Sequence, residues 1–451
     1  MKVRGRSFSV VGIGISGVSA ANALVRRGGD VVISDGADSA AIREASSGLD
    51  SGVRASFGKE MIRPGDVAVL SPGIPPSAPV FAEARSVASE VIGEVELFHR
   101  LSHGRMVAVT GTDGKSTVTT LVAHLLNTAG LRAHAGGNLG NPLCDLLDTA
   151  GPQDVIVAEV SCFQLITTSS FHPLVAVVTN LAEDHIEYHG SFEAYVRAKS
   201  MVAAQQTEGD WFVRNIDDPM LSGWMTRDHG LCPARGQKVL DVSRRGPVRD
   251  GAWTDGGNLY LAQGGDNRMV CARAGFALPG GHNTENALLA LAACLPFDPD
   301  PTMLARGLAS YRGLPHRLEP VRTLAGVRVY NDSKATNPHA AITALRAFDE
   351  RVVLIAGGHE KGLSYDDLAV EVGRRCRHVV LVGESAERMS REFPESVPVE
   401  VVEDHEIAVR RALAKAAPAG IVLFSPAASS FDRFKSFEER GDAFRAIVNS
   451  L

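Results

Sequence analysis

The sequence predicts an α/β protein with three successive domains, each built on its own sheet. Three observations point to that class. The chain has 451 residues, which is too long for one ordinary core. Short apolar runs alternate with helical stretches, an order typical of parallel strands joined by crossover helices. That alternation begins afresh three times, so we expect domains over residues 1–97, 98–312 and 313–451.

The first set of runs predicts a Rossmann-like N-terminal domain. Its apolar runs cover residues 8–11, 31–33 and 67–70. A glycine-rich loop from Gly12 to Gly17 follows the first run directly and precedes a helical stretch, and Asp35 ends the next strand. Glycines there let the backbone approach a diphosphate at the positive end of a helix, and Asp35 can accept a hydrogen bond from a ribose hydroxyl. The pattern fits NAD, FAD or another nucleoside diphosphate equally, and it also fits tight packing of a strand on a helix without any ligand.

The second set predicts a central domain with a P-loop ATPase-like sheet. Its apolar runs cover residues 106–109, 155–158 and 175–178. The loop after the first run reads Thr110, Gly111, Thr112, Asp113, Gly114, Lys115, Ser116 and leads into a helix from about Thr117. Valine stands at position 109, where a complete Walker loop has glycine. The remaining parts predict ATP binding, because N–H groups at a helix N-terminus attract phosphate, Lys115 can reach the β and γ phosphates, and Ser116 can hold Mg²⁺.

The third set predicts a C-terminal Rossmann-like domain. Its apolar runs cover residues 352–356, 379–382, 399–402 and 421–424. The joints between domains are placed where the pattern breaks, in the polar stretch 100–104 and at Gly313, Leu314 and Pro315. Residues 225–274 are rich in Gly, Asp and Arg with weak periodicity, and they predict peripheral loops and short strands.

The bulk composition excludes several classes of protein. Hydrophobic residues make up 45% and charged residues 22%, close to the averages for globular chains, and a formal net charge of −6 offers no general attraction for nucleic acid or anionic lipid. No apolar run reaches the length of a membrane span, and the start lacks the apolar core of a secretory signal. Free, mostly buried thiols are expected for Cys144, Cys162, Cys232, Cys271, Cys294 and Cys376. We therefore expect a cytoplasmic monomer without nucleic-acid or membrane partners.

Together with further motifs, the phosphate loop resembles that of the Mur ligase family. The resemblance covers the chain from Gly12 to its C-terminal end, with nine further short stretches in the family's order. They are residues 71–74, 136–140, 159–165, 183–185 with Lys199, 282–286, 314–317, 331–337, 357–361 and 425–441. The resemblance implies amide formation, in which ATP phosphorylates the carboxylate of UDP-N-acetylmuramoyl-L-alanine and the amino group of D-glutamate attacks the acyl phosphate.

The resemblance also implies which residues bind each substrate. For the UDP-linked substrate they are Ile15, Ser16, Asp35, Gly73, Asn138 and Ser161. For D-glutamate they are Lys334, Thr336, Lys361, Ser430 and Phe437, and two lysines suit a dianion. For ATP they are Gly111, Thr112, Asp113, Gly114, Lys115, Ser116, Thr117, Asn283, Asn286, Arg317 and Asp332. Asn283 and Asn286 are three residues apart on a predicted helix, so they share a face.

Catalytic roles are implied for Lys115, Glu159, His185, Lys199 and His316. Two Mg²⁺ sites are expected, one with Ser116 and one with Glu159 and His185 as ligands. Lys199 matches a lysine that the family carries as a carbamate. A carbamate forms only from neutral lysine, which costs an ordinary lysine about 4.6 kcal/mol at pH 7, so we expect nearby Mg²⁺ to stabilise the product. Read without the family, His185 equally fits a capping or surface histidine, and Lys199 fits a solvated helix lysine.

Two departures from the family and several other functions stand beside this interpretation. Many members carry asparagine where this chain has Asp113, and Ala-Ser-Ser at residues 428–430 replaces a small-Cys-Ala-Ser pattern. The close alternatives are a sister ligase that adds L-glutamate and a folate polyglutamate synthetase, and the glycine loop at residues 12–14 argues against the second. A phosphate-loop switch protein without chemistry is disfavoured by Glu159, His185 and Lys199. A dehydrogenase is disfavoured because no candidate for hydride or proton handling accompanies the first glycine loop.

Overall fold

A computed structural model describes residues 1–222 and 236–451 of the chain. Cys232 and residues 225–235 of the segment predicted to be peripheral lie outside the described part. The chain divides into a larger compact unit, Met1–Gly275 with Glu285–Ala309, and a smaller one, Phe276–Thr284 with Ser310–Leu451. The domain boundaries at 97 and 312 stay predictions.

The first sheet belongs to the larger unit and is parallel throughout, in the order β3-β2-β1-β4-β5. Its strands are β1 Ser7–Val11, β2 Asp30–Asp35, β3 Arg54–Phe57, β4 Val67–Leu70 and β5 Glu90–Gly93. Its helices are α1 Ile15–Arg26, α2 Ala40–Ser46, α3 Pro79–Val87 and α4 Glu94–Leu101. The predicted runs lie in β1, β2 and β4, whose buried residues form continuous apolar stretches as parallel strands do. β3 and β5 were not predicted, because each has only four residues and is partly exposed, so neither forms a clear apolar run. The Rossmann-like fold of this part is confirmed.

The second sheet, also in the larger unit, has the order β14-β13-β12-β11-β10-β9-β6-β8-β7. Its strands are β6 Arg105–Thr110, β7 Ala133–Gly137, β8 Val155–Glu159, β9 Val175–Val178, β10 Trp211–Asn215, β11 Lys238–Ser243, β12 Gly251–Thr254, β13 Asn258–Gln263 and β14 Asp266–Ala272. The helices of this stretch of chain are α5 Lys115–Thr128, α6 Cys162–Leu165, α7 Ile186–His189, α8 Phe192–Ser200, α9 Pro219–Ser222, α10 Gly281–Cys294 and α11 Pro301–Ser310. Short strands were predicted within residues 225–274, and the structure adds that β11 to β14 extend this same sheet, with β12, β13 and β14 antiparallel.

The third sheet forms the smaller unit's core, in the order β15-β16-β20-β17-β18-β19. Its strands are β15 Glu319–Leu324, β16 Val327–Asn331, β17 Val352–Ala356, β18 Cys376–Val382, β19 Val399–Val402 and β20 Gly420–Phe424. Its helices are α12 Pro338–Leu345, α13 Asp366–Arg375, α14 Ala386–Glu392, α15 His405–Ala416 and α16 Phe437–Ser450. All strand pairs are parallel except β15 with β16. The four predicted runs coincide with β17 to β20, which confirms the C-terminal Rossmann-like sheet.

A short 3₁₀ turn, Leu143–Asp148, joins the first sheet's helices to the central sheet inside the larger unit. Asp148 accepts hydrogen bonds from Arg26 at 2.8 Å and from Arg27 at 2.9 Å, both at the end of α1. Asp145 accepts from the Ser19 hydroxyl at 2.5 Å. The turn is therefore fastened to α1 by both of its acidic side chains.

The thiols that the structure describes agree with prediction. Cys144, Cys162, Cys271, Cys294 and Cys376 are free, and all but Cys271 are buried. Among the described helices, none combines the length and the apolar character needed to cross a membrane.

Candidate active site

The phosphate loop lies between the end of β6 and the start of α5. Gly114 is the N-cap residue of α5, in the left-handed region with φ 80°, and no side chain caps the helix there. A Cβ atom on Gly114 would overlap Oδ1 of Asn286, and one on Gly111 would overlap Oγ1 of Thr179, so both positions require glycine. Lys115 donates a hydrogen bond from Nζ to the carbonyl oxygen of Thr112 at 2.6 Å. The loop thus presents an uncapped helix N-terminus with a lysine folded over it, as an anion-binding site requires.

Glu159 ends β8 beside this loop. The strand register pairs Glu159 with Val109, two residues before Gly111, and the side chain is 2% exposed. Its Oε1 accepts a hydrogen bond from Nδ2 of Asn138 at 2.8 Å. Its Oε2 is buried and has no hydrogen-bond partner among the described residues. A buried carboxylate oxygen left without a partner is costly, and it fits the hard oxygen ligand that Mg²⁺ prefers.

Lys199 reaches the same loop from α8. Its side chain is 2% exposed, and Nζ donates a hydrogen bond to the carbonyl oxygen of Gly111 at 2.6 Å. The ammonium lies 4.6 Å from the centre of the Tyr195 ring, whose hydroxyl is 2.8 Å from Oγ1 of Thr112. Burial, and then the nearby charge of Lys115, lowers the pKa of Lys199 to about 8. Lys199 is therefore buried against the phosphate loop and is not a solvated helix lysine.

His185 lies at the start of α7 with an exposed side chain and a positive φ of 52°. Its ring is 4.7 Å from that of Phe163, and Nε2 is 3.3 Å from Oδ2 of Asp184. Ser116 and Thr117 belong to the first turn of α5. Within the described ranges, no group of three or more His, Cys, Asp and Glu side chains forms a metal cage.

The first glycine loop ends at an uncapped helix as well. α1 begins at Ile15, whose side chain is 69% exposed, and no side chain caps its N-terminus. Asp35 accepts hydrogen bonds from the N–H groups of Ile13 at 2.8 Å and Ala37 at 2.9 Å. Oδ2 of Asp35 thus holds the glycine loop, while Oδ1 holds the turn that follows β2. Ser16 is half-buried and Gly73 lies in an open, exposed turn.

Ser161 is the N-cap residue of α6. Its side chain and that of Gln164 form a capping box, with Oγ of Ser161 also 2.9 Å from Oε1 of Gln164. Its hydroxyl therefore has a local structural role in addition to the implied role at the UDP-linked substrate.

The smaller unit places Asp332 and His316 in buried positions around β16. Asp332 accepts hydrogen bonds from Oγ of Ser425 at 2.7 Å and from the N–H of Leu318 at 3.1 Å. Burial raises the pKa of Asp332 to about 7. His316 has a positive φ of 61°, its Nδ1 lies 3.1 Å from Nδ2 of Asn331, and burial lowers its pKa. Arg317, the residue after His316, is half-buried. His316 and Arg317 lie just before β15, and Asp332 directly follows its partner strand β16.

The residues implied for D-glutamate vary in exposure. Lys334 is exposed and its Nζ lies 5.5 Å from the centre of the Phe437 ring. Ser430 is buried, Thr336 is half-buried, and Lys361 is exposed in the loop between β17 and α13. The structure brings Lys334 and Phe437 together.

Asn283, one of the residues implied for ATP, is buried in α10, where its Nδ2 donates to the carbonyl oxygen of Pro279 at 2.7 Å.

Sequence reasoning missed several residues that hold these segments. Thr179, Asn180 and Tyr195 contact the phosphate loop, and the first two directly follow β9. Arg440 is 1% exposed and donates to the carbonyl oxygens of Ser333, Ala428 and Ser429. The signal available for Thr179 and Asn180 was their place after a strand, because the carboxyl ends of parallel strands share one edge with the ligand site.

Three family models match the chain in succession. They are described as Mur ligase MurD-like, N-terminal domain, over residues 6–93, Mur ligase middle domain over 109–294, and Mur ligase, glutamate ligase domain over 316–428. A curated relative from Geobacter metallireducens, a UDP-N-acetylmuramoylalanine–D-glutamate ligase, is 40% identical over 461 residues, covering 100% of this chain and 99% of its own.

Solved structures with the same fold include two from Thermotoga maritima. The UDP-N-acetylmuramate-alanine ligase has a TM-score of 0.57 and 19% identity, covering 98% of this chain and 99% of its own. The MurF ligase, solved in complex with ADP, has a TM-score of 0.53 and 18% identity, covering 86% of this chain and 96% of its own.

Proposed function

The chain belongs to the Mur ligase family, and on that premise we propose that it is the ATP-dependent ligase that adds D-glutamate to UDP-N-acetylmuramoyl-L-alanine in peptidoglycan precursor synthesis. ATP phosphorylates the terminal carboxylate of the UDP-linked substrate. The amino group of D-glutamate then attacks the acyl phosphate, an amide bond forms, and ADP and phosphate leave.

One observation carries this function best. Glu159 and Lys199 both lie beside the loop that carries Lys115. Lys199 is bound to the carbonyl oxygen of Gly111, and Glu159 pairs in register with Val109, two residues before Gly111. A nucleotide switch protein needs the loop but has no use for a buried second lysine and an unpartnered buried carboxylate. A ligase needs both, because two anions must be brought together for phosphoryl transfer.

Residues in and around the loop have distinct tasks in that transfer. Lys115 neutralises charge on the transferring phosphoryl group, and the N-terminus of α5 orients it. Ser116, Glu159 and His185 would hold Mg²⁺ at two sites. When bound there, the metal would supply further charge neutralisation for the transfer. Asn138 orients Glu159 through the 2.8 Å hydrogen bond.

Lys199 is proposed to act as a carbamate. The neutral amine adds to CO₂, an N–C bond forms and a proton leaves. Because the pKa of Lys199 is about 8, neutralising it at pH 7 costs only about 1.4 kcal/mol, far less than for an ordinary lysine. The carbamate would replace a cation by an anion close to Lys115 and Glu159, where a metal ligand is required.

The remaining binding roles follow the family's assignments. The UDP-linked substrate is proposed to contact Ile15, Ser16, Asp35, Gly73, Asn138 and Ser161. ATP is proposed to contact Gly111, Thr112, Asp113, Gly114, Lys115, Ser116, Thr117, Asn283, Asn286, Arg317 and Asp332. D-glutamate is proposed to contact Lys334, Thr336, Lys361, Ser430 and Phe437, with His316 orienting the tetrahedral intermediate. Domain boundaries near residues 97 and 312, a monomeric state and cytoplasmic residence complete the proposal, and free buried thiols support the last of these.

A direct assay tests the function. Pure protein is incubated with ATP, Mg²⁺, UDP-N-acetylmuramoyl-L-alanine and either enantiomer of glutamate, and phosphate release is measured. We expect release with D-glutamate and little with L-glutamate. Phosphate release with L-glutamate alone would identify the related ligase that adds L-glutamate. No release with either enantiomer would refute the proposed ligase function.

A further inference from the structure

Two residues that follow β9 lie alongside the phosphate loop. β9 is the neighbour of β6 in the central sheet, and the last pair of their register joins Thr110 with Val178. The main chain continues that pairing, since the N–H of Thr179 donates to the carbonyl oxygen of Thr110 at 3.0 Å. Thr179 and Asn180 therefore run beside the loop from its first residue.

The side chain of Asn180 binds both the N–H and the carbonyl oxygen of Asp113. Its Oδ1 accepts a hydrogen bond from the N–H of Asp113 at 2.8 Å, and its Nδ2 donates to the carbonyl oxygen of Asp113 at 3.1 Å. Its own carbonyl oxygen accepts from the N–H of Thr112 at 3.0 Å. The side-chain amide thus pairs with Asp113 as a neighbouring strand would.

Thr179 secures the same carbonyl from a buried position. Its side chain is 0% exposed, and Oγ1 donates to the carbonyl oxygen of Asp113 at 2.6 Å. The hydroxyl fills the space that a Cβ on Gly111 would take. One carbonyl oxygen in the loop is therefore held by two side chains.

These contacts divide the loop's N–H groups between two tasks. The groups of Thr112 and Asp113 are committed to Asn180 and so serve to shape the loop. Those of Lys115 and Ser116 belong to the first turn of α5, where a helix offers no acceptor of its own, so they are available to bind a phosphate. The Asp113 side chain is exposed, and within the described part of the chain its main chain makes the contacts to Thr179 and Asn180. These contacts to the main chain therefore do not depend on which side chain stands at position 113.

We propose that Thr179 and Asn180 are positioning residues for ATP, which hold the phosphate loop in its binding shape through the main chain of Asp113. This inference rests on the proposed function only in that the loop binds Mg·ATP. Without the two side chains, the loop must order itself when the nucleotide arrives, and affinity falls by that ordering cost.

The experiment compares matched variants by calorimetric titration with a non-hydrolysable Mg·ATP analogue. Thr179→Val keeps the shape and removes the hydroxyl, and Asn180→Asp keeps one acceptor and removes the donor. We expect Thr179→Val to weaken analogue binding about 10- to 100-fold, the range for a lost buried hydrogen bond. Asn180→Asp, whose hydrogen bonds are exposed, should weaken it about 5- to 10-fold, and Thr179→Ser should stay within about threefold of the unaltered protein. Affinity for UDP-N-acetylmuramoyl-L-alanine should not change in any of them.

Asn127 supplies the control. Its side chain accepts from the N–H of Ala133 at 3.0 Å and donates to the carbonyl oxygen of Ala133 at 2.8 Å, so it repeats the Asn180 pattern at the far end of α5. Asn127→Asp should lower thermal stability without changing nucleotide affinity. Unaltered nucleotide binding in Thr179→Val and Asn180→Asp, or an equal loss in Asn127→Asp, would overturn the inference. If the unaltered protein binds the analogue but forms no product, the proposed function fails while the positioning role is still decided by these titrations.

Discussion

Nζ of Lys199 lies 2.6 Å from the carbonyl oxygen of Gly111, so a buried ammonium is bound directly to the phosphate loop. Replacing Lys199 by alanine removes both this bond and the proposed carbamate. We expect Lys199→Ala to lose more than about 100-fold in turnover, the scale of a lost electrostatic catalytic group. Short-chain carboxylates should restore part of the activity by occupying the vacated site. Phosphate release with and without formate measures this, and Arg197→Ala, an exposed change on the same helix, is the control. Failure of rescue in a folded variant would contradict the carbamate.

The pH dependence of carbamate formation follows from the pKa of Lys199. The neutral amine reacts with CO₂, and with a pKa of about 8 its neutral fraction rises about tenfold per pH unit from pH 6 and levels off above pH 8. Enzyme freed of CO₂ at low pH should therefore recover activity at a rate that follows this curve at constant dissolved CO₂. The lag in phosphate release after CO₂ addition, compared with the final steady rate at the same pH, gives the rate constant for recovery. A rate that keeps rising up to pH 10 would indicate an ordinary lysine.

Glu159→Gln should separate stability from metal binding. The change removes a buried charge whose Oε2 lacks a hydrogen-bond partner in the described structure, so the protein without Mg²⁺ should melt no lower than the unaltered protein. Stabilisation by Mg·ATP analogue should shrink, and turnover should fall by about 100-fold or more. Thermal melts with and without the analogue test both effects. Glu187→Gln, an exposed change in α7, should alter neither, and full Mg·ATP stabilisation in Glu159→Gln would rule the carboxylate out as a ligand.

His405 predicts a loss of stability in acid. Burial lowers its pKa to about 4, with the charges of Arg440 and Arg433 adding to the effect. Below the ordinary histidine pKa of about 6.5, the unfolded chain takes up a proton that the folded chain does not, so the free energy of unfolding falls as pH drops from 6.5 to 4, by about 3 kcal/mol in total. Hydrogen exchange of α15 peptides, corrected for intrinsic rates, measures this slope. His405→Phe should flatten it, since the ring packs between Phe424 and Phe434, whereas the exposed His339→Phe should not.

Gly441 and His316 should show coupled effects on stability. A Cβ on Gly441 would overlap Nδ1 of His316, so Gly441→Ala should destabilise the protein by about 1–3 kcal/mol through overpacking. In a His316→Ala background the space is free, and the same change should become neutral or stabilise by about 1 kcal/mol, the gain from alanine over glycine in a helix. Urea unfolding of the four proteins gives the coupling energy. Equal effects in both backgrounds would show that the two residues do not meet.

The sequence predicted those features that depend on neighbours along the chain. The glycine loops at residues 12–17 and 110–116 follow strands and precede helices as expected, and the buried parallel strands appear as apolar runs. Features that depend on the order of strands in a sheet escaped prediction. The contacts of Thr179 and Asn180 with Asp113 exist because β9 pairs with β6, and no local pattern specifies that pairing.

Long-range burial was equally hidden from the sequence. Arginine is usually an exposed residue type, so the sequence predicts an exposed Arg440. In the structure, Arg440 is buried and donates hydrogen bonds to the carbonyl oxygens of three residues. Lys199 became informative only through the family resemblance, because a helix lysine is otherwise a surface residue. The structure adds a physical reason to single out Lys199, because its side chain is buried against the phosphate loop.

The turn at Leu143–Asp148 limits how this protein can be recombined with its relatives. Its acidic residues bind Arg26, Arg27 and Ser19, and the N–H of Cys144 donates to the buried Glu94 at 2.7 Å. The N-terminal domain therefore cannot be exchanged on its own by cutting the chain at residue 97. A chimaera that imports residues 1–101 must import the matching turn as well, or it will inherit arginines and a glutamate whose counterparts remain in the donor.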